Sequence, residues 1–440
     1  MKLKSRHCLC AALLLGSLFV ATGRAQYLEA VIPVGLQPRD VLWNPTSNKV
    51  YTTNNGSGSV TVIDGASNEV TATVTVAGDP AFLCWNSVAN KVYLLAYDPD
   101  WLYVIDGVGD TLIRKVRMRG APVEMAYNAL MNKLYVICAD DDMVRVYDGS
   151  ADTLVAEVWF GQNTPRTLLW HPVSNRVFIA AYGNSDSVFV VDCATDLVVS
   201  RLQAGRLPYA WSWNPLGNLV YVGSKWVVTV LTADGDSVVA TIPGCGRVPQ
   251  SACHVPYPNK LYVGDFYDEG VALIDCLTQS VYDTLLSGQQ INDILCDTLH
   301  GKVYVVGTWD VYIFDARTDT LVKSIHAANG YEKLAWNSTN SRVYVADDVA
   351  NAVYVIRDTT TGVAEDRSIS MRYLRVAPTT TRGWLDVRGS GPSVLLDALG
   401  RRVASLSPGR NDLRGFGTGV YFLYEQEGGR ECARKVILTR

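Results

Sequence analysis

With 440 residues, 48% of them hydrophobic and 19% charged, the chain has the composition of a globular protein long enough for one large repeat domain or for several domains. Its 39 basic and 43 acidic residues give a formal charge of −4, with no basic stretch that could neutralise a run of phosphates, so nucleic acid is excluded as the expected partner.

The first residues carry Lys2, Lys4 and Arg6, then an apolar run from Cys8 to Val20, then Gly23, Arg24 and Ala25 where a signal peptidase needs small side chains. Residues 1–25 are expected to be a cleaved signal peptide, and the mature chain to be secreted. A membrane anchor is the weaker alternative, because the apolar run has 13 residues and a span needs ~20. No later segment is apolar enough to span, so no transmembrane segment is expected after signal cleavage. Of the ten cysteines, Cys8 and Cys10 leave with the signal, and the rest are scattered through a chain too large to need staples, so most should be small core residues. Cys245 and Cys253 are close enough in sequence for a loop disulfide. There is no C-x-x-C, hence no zinc knuckle, thioredoxin motif or covalent haem site.

An aliphatic residue followed by an aromatic one recurs along the chain, at Val50-Tyr51, Val92-Tyr93, Leu134-Tyr135, Val177-Phe178, Val220-Tyr221, Leu261-Tyr262, Val303-Tyr304 and Val343-Tyr344. The aromatic residues are 42, 42, 43, 43, 41, 42 and 40 positions apart, the length of one four-stranded propeller blade, so eight anchors predict eight blades, with seven as the alternative. In the first copy, residues 39–44, 49–53, 59–64 and 69–76 have the Val, Ile, Thr and aromatic content of strands, separated by Asn-, Gly- and Ser-rich turns. The eighth copy supplies strands at 331–336, 342–346 and 352–356 and then loses strand character at 358–362. Residues 27–34, ahead of the first copy, have the pattern of the missing outer strand and are expected to close the ring, which removes exposed sheet edges.

On Val50-Tyr51-Thr52-Thr53-Asn54, Val60-Thr61-Val62-Ile63-Asp64 and Gly78-Asp79-Pro80, and on later copies such as Tyr103-Val104-Ile105-Asp106 and Phe189-Val190-Val191-Asp192, the chain resembles the YVTN family of β-propeller repeats over residues 27–357. The fifth copy departs, with Val230-Leu231-Thr232 lacking the Asp, as does the eighth, with Arg357 in its place. The recurring Asp sits where an Asx turn is needed, a structural role rather than a metal ligand. The series Trp43, Trp85, Tyr127, Trp170, Trp213 and Trp336 holds one place in the first strand, where it can fill space between blades.

Residues 358–372 are expected to be a linker, and 373–440 a small immunoglobulin-like β-sandwich. Ser393 to Val403 with its Asp397-x-x-Gly400-Arg401 turn, Gly419-Val420-Tyr421-Phe422 and Arg434-Lys435-Val436-Ile437-Leu438 resemble the C-terminal sorting (Por) domain of type IX secretion, with Ala377-Pro378 where that family has Asn-Pro. The resemblance implies that secretion machinery recognises this region and that the protein is secreted or held at the cell surface; a plain sandwich module, and a periplasmic location, are the alternatives.

A propeller gathers the starts of its first strands around a central channel. The positions three and four residues before the Trp series do not repeat, which is what a ligand-reading rim requires. The candidate rim residues are Arg39, Asp40, Phe82, Glu124, Arg166, Tyr209, Gln250, Asn292, Asp293, Glu332 and Lys333. His171, His254, His300 and His326 are dispersed along the repeats at or near turns, and no G-x-S-x-G, P-loop or H-E-x-x-H occurs, so no catalytic, cofactor or metal-ligating residue is assigned. The expected function is a binding or structural scaffold for a protein, glycan or envelope partner; the alternative is a lactonase-like hydrolase or lyase working in the channel.

Overall fold

The computed structural model of the protein describes residues 26–182, 186–267, 269–326, 330, 333–358, 379–381, 383–387, 393–397, 402–416, 419–427 and 430–438. The predicted signal segment 1–25, residues 359–372 of the predicted linker, and Glu332 lie outside them.

Eight four-stranded antiparallel sheets form the propeller expected from the repeat. In blade 1 the strands are Pro38–Asn44, Lys49–Asn54, Ser59–Asp64 and Val70–Thr75, within two residues of the predicted limits. The inner and outer strands differ because of what covers them. Blades pack against both faces of each second strand, so Val50 and Tyr51 and their counterparts are wholly buried and the strand is buried almost from end to end, whereas the fourth strand Val70–Thr75 is mostly exposed. The anchor aromatics Tyr51, Tyr93, Tyr135, Phe178, Tyr221, Tyr262, Tyr304 and Tyr344 are all at most 1% exposed. Trp43 and Trp336 pack into clusters shared by adjacent blades, the role expected for their series.

The eighth blade closes as the sequence implied. Its order is Leu334–Asn337, Arg342–Asp347, Ala352–Asp358 and then Gln26–Pro33, the last pairing running from Gln26 with Asp358 to Pro33 with Ala352. Arg342 fastens this strand: its Nε and one Nη hold the Glu29 carboxylate at 2.8 and 2.6 Å, while its other Nη reaches the carbonyls of Gly65 and Ala66 in blade 1.

Repeated polar residues serve the architecture. The strand-ending aspartates are Asx-turn acceptors: Asp64 Oδ1 takes the amides of Ala66 and Ser67, and Asp148 Oδ1 those of Ser150 and Ala151. A second aspartate in the same turn does something the sequence reading did not foresee. Lys91 Nζ and Tyr93 Oη both donate to Asp152 of the next blade, at 2.8 Å each. Lys49 and Tyr51 hold Asp110, Lys133 and Tyr135 hold Asp196, and Lys260 and Tyr262 hold Asp319 in the same way. These aspartates have positive φ, near 55°, a backbone region that Asp and Asn tolerate. A further series links Asn44 to Asn90, Asn128 to Asn175, Asn214 to Asn259 and, across the closure, Asn337 to Asn48.

The possible Cys245–Cys253 disulfide does not form. Cys245 is buried and donates its Sγ–H to the Ile242 carbonyl, while Cys253 lies beside Cys296 of the next blade; both are free thiols. Their side chains are drawn into different inter-blade layers, which sequence proximity does not reveal.

The C-terminal strands form a five-stranded sheet, in which Ser393–Asp397 pairs with both Arg402–Leu406 and Gly419–Glu427, and Arg430–Leu438 pairs with Gly419–Glu427. Trp384–Val387 and Gly409–Asp412 make a second, two-stranded sheet. Leu385 and Val387 of the small sheet share one core with Leu395, Leu423 and Val436 of the large one, compatible with the expected small β-sandwich. No helix among the described residues is long and apolar enough to cross a membrane.

Candidate functional site

The first strands and the ends of the second strands enclose a cavity of about 720 Å³ on the propeller axis. Its size is that of a small-molecule or peptide-end pocket. Arg39, Asp40, Phe82, Glu124, Arg166, Tyr209, Gln250, Asn292 and Lys333 all line it. Asp293 is not part of the lining.

The two aligned positions have separate jobs. Five of the eight side chains three residues before the Trp position, those of Asp40, Glu124, Thr167, Ser251 and Asp293, reach the neighbouring blade, whereas Phe82 and Lys333 turn to the cavity. Asp40 Oδ2 accepts the amide of Leu83 at 2.8 Å, and Asp293 Oδ2 that of Leu334 at 3.0 Å. Ser251 Oγ accepts the amide of Ile294 at 3.0 Å and donates to Asp293 Oδ1 at 2.9 Å. Glu124 faces the Thr167 hydroxyl and the Leu168 amide of the next blade, both of which lower its pKa against the effect of burial, and Thr167 Oγ1 accepts the Trp211 indole N–H at 3.0 Å. A first-strand amide facing the channel lacks a ladder partner, and a polar side chain from the preceding blade supplies one. Much of the variation at this position is therefore a choice among acceptors of different length.

Side chains four residues before the Trp position lie at the mouth. Arg166 stacks its guanidinium 5.6 Å from the Tyr182 ring centroid, and Tyr182 meets Tyr209 at 5.0 Å and 67°. Phe82 meets Tyr97 edge-on at 6.2 Å, and Arg39 and Arg166 both lower the Tyr97 pKa, opposing the rise that burial causes. The sequence reading missed Asn55, Tyr97, Tyr182 and Asp348. Each stands four residues after the anchor aromatic of its repeat, at the inner end of the second strand, so the same period that found the anchors could have found them.

Charge in the channel responds to protons. Crowding by the blades pushes Asp40 up to about 6 and Glu124 up to about 7, desolvation being the leading cause for both, with Lys333 and backbone amides pulling the other way. Lys333 approaches Asp293 at 3.5 Å and is raised by it and, more weakly, by Asp40 and Glu124. As pH falls from 8 to 6, both carboxylates gain protons and the cations Arg39, Arg166 and Lys333 face less opposing charge.

No protein-family model and no curated protein matches the chain. Solved structures do. The hydrazine synthase of Kuenenia stuttgartiensis superposes with a TM-score of 0.54 at 16% identity, over 76% of this chain and 99% of the other. Saccharomyces cerevisiae Sqt1 gives 0.63 at 12% over 76% and 98%, and the C-terminal WD40 domain of Sif2 gives 0.62 at 13% over 75% and 99%. At these identities the likeness establishes the propeller fold alone.

Proposed function

We propose that this is a YVTN-type propeller that acts as a secreted or cell-surface binding scaffold, taking an extracellular protein or glycan partner at its channel mouth. The carrying observation is a division of labour. Repeating polar side chains are committed to bonds within or between blades, whereas the non-repeating Arg39, Arg166, Tyr97, Tyr182 and Tyr209 converge on one opening. Arginine and tyrosine bind through planar faces and charge-assisted hydrogen bonds at low entropic cost. The WD40-like neighbours belong to a fold commonly used as a scaffold. The lactonase-like alternative draws on the raised pKa values of Asp40 and Glu124, but Asp40 already accepts the Leu83 amide and Glu124 faces the Leu168 amide, which suits a structural clasp better than a general base.

The mouth is tested by screening the full chain on arrays of extracellular glycans and peptides at pH 6 and pH 8. Specific signals are expected to fall at least tenfold in Arg166→Ala combined with Tyr209→Ala, and anionic ligands to bind more tightly at pH 6. Signals untouched by the double substitution, or hydrolysis of a lactone panel lost in Glu124→Gln, would reject this reading.

Residues 373–440 are proposed to serve export, on the resemblance to the type IX sorting domain and on the two-sheet unit that these strands build. In a host with that pathway, the full chain is expected in the outer-membrane or culture fraction and a chain ending at residue 372 in the periplasm. Equal distribution of the two would remove the sorting role.

A further inference from the structure

The Lys–Tyr–Asp clamp that joins blades 1 to 2, 2 to 3, 3 to 4 and 6 to 7 cannot be completed between blades 7 and 8. Its aspartate belongs to the turn between third and fourth strands, and in blade 8 the outer strand arrives from the start of the chain, so that turn is missing. Tyr304, the blade 7 anchor, consequently has a wholly buried hydroxyl whose nearest partner is the Asp358 carboxylate, approached without good hydrogen-bond geometry; burial first, and then Asp358 and Asp297, raise its pKa.

What fills the gap is a group of ligating side chains. Asp297 ends the first strand of blade 7, His300 lies in the turn that follows, and Asp358 ends the third strand of blade 8. Their nearest ligand atoms all lie within 4.8 Å of one another. Asp297 is fully buried and Asp358 is 2% exposed. His300 Nδ1 is 2.5 Å from Asp297 Oδ2 and 3.6 Å from Asp358 Oδ2. Asp358 Oδ1 accepts from Gln26 Nε2 at 2.9 Å, but its buried Oδ2 takes no hydrogen bond, and neither does Gln26 Oε1.

Two buried carboxylates against a single imidazole leave uncompensated negative charge, and the buried Asp358 Oδ2 takes no hydrogen bond of good geometry; both are costly without a further positive group. We propose that Asp297, His300 and Asp358 bind one divalent transition ion of the zinc or manganese type, with Tyr304 and Gln26 behind them. One nitrogen and two carboxylate donors suit those ions, whereas calcium asks for six to eight oxygens. Donors around a tetrahedral ion with bonds of about 2.0–2.2 Å stand roughly 3.4 Å apart, so a small inward shift of the side chains completes the shell. The ion takes the place of the proton between His300 and Asp297, and it joins blade 7 to the strand pair that closes the ring.

The test uses the full chain stripped with EDTA and titrated with zinc, manganese, calcium or magnesium chloride, with bound metal measured by mass spectrometry and unfolding followed by circular dichroism. One zinc or manganese ion per chain is expected, and a midpoint raised by roughly 4 °C at a hundredfold excess over Kd. Asp358→Asn and the partly exposed His300→Gln should each lose the ion and the shift; His300→Gln alone decides the matter if Asp358→Asn fails to fold. Less than a tenth of an ion per chain, retention of the ion in His300→Gln, or equal binding of calcium and magnesium would overturn the assignment.

Discussion

Glu29→Ala is expected to destabilise the propeller by about 3 kcal/mol, the lower end of the range for removing one partner of a buried ion pair. Its partner Arg342 has a side chain only 6% exposed, held by a two-pronged contact that the substitution erases. The carbonyls of Gly65 and Ala66 still receive one Nη, but no anion remains. Because Glu29 lies on the closing strand, the loss falls on the contact that makes the ring continuous. Urea midpoints measure it; a change below about 1 kcal/mol would place this pair with ordinary surface ion pairs. The effect depends on pH with a defined sign. Hydrogen bonding to Arg342 holds the Glu29 pKa below its ordinary value. A depressed folded-state pKa contributes stability that is present above the unfolded value of about 4.3 and is lost as pH falls through the folded one. The gap between wild type and Glu29→Gln should therefore close in acid and stay constant at neutral pH.

The second large effect is expected at Asp152, and the informative comparison is its neighbour in the same turn. Asp152→Ala leaves the Lys91 ammonium with no anion, donating only to the Ser150 and Gly149 carbonyls, and leaves the buried Tyr93 hydroxyl only the long contact to Gly149 O as acceptor, at a cost of about 3 kcal/mol. Asp148→Ala removes only an exposed Asx-turn acceptor, at about 1 kcal/mol. Equal losses in thermal or urea unfolding would mean that the clamp carries no special weight. Tyr93→Phe should fall between them, since it removes one donor and leaves the ion pair.

This pair of aspartates shows what the sequence discloses. Asp148 was legible because an Asx turn is local: acceptor and amides lie within three residues of each other, and the flanking strand ends exactly there. Asp152 was not, because its partners are 59 and 61 residues away on another blade. The eight anchors and the closing strand were legible for the same reason as Asp148, since period and alternation are properties of short windows. At the channel, alignment by period placed Arg39, Arg166, Tyr209, Gln250 and Asn292 at the mouth. It could not separate them from Asp40 and Asp293, one residue along, whose carboxylates turn to the next blade. His300 looked like one of four isolated imidazoles, because Asp358 joins it from the next blade.

The pairing of Gln26 with Asp358 also sets a clock. Contacts between residues more than 300 positions apart carry the largest loop-closure entropy in the ring, which is offset once the intervening blades hold their ends together. Until residue 358 shares a compartment with residue 26 the ring stays open, with two edges still accepting partners. A chain that emerges amino end first thus cannot close its ring until almost the whole propeller is out, and the two ends of the propeller then rest side by side in one blade.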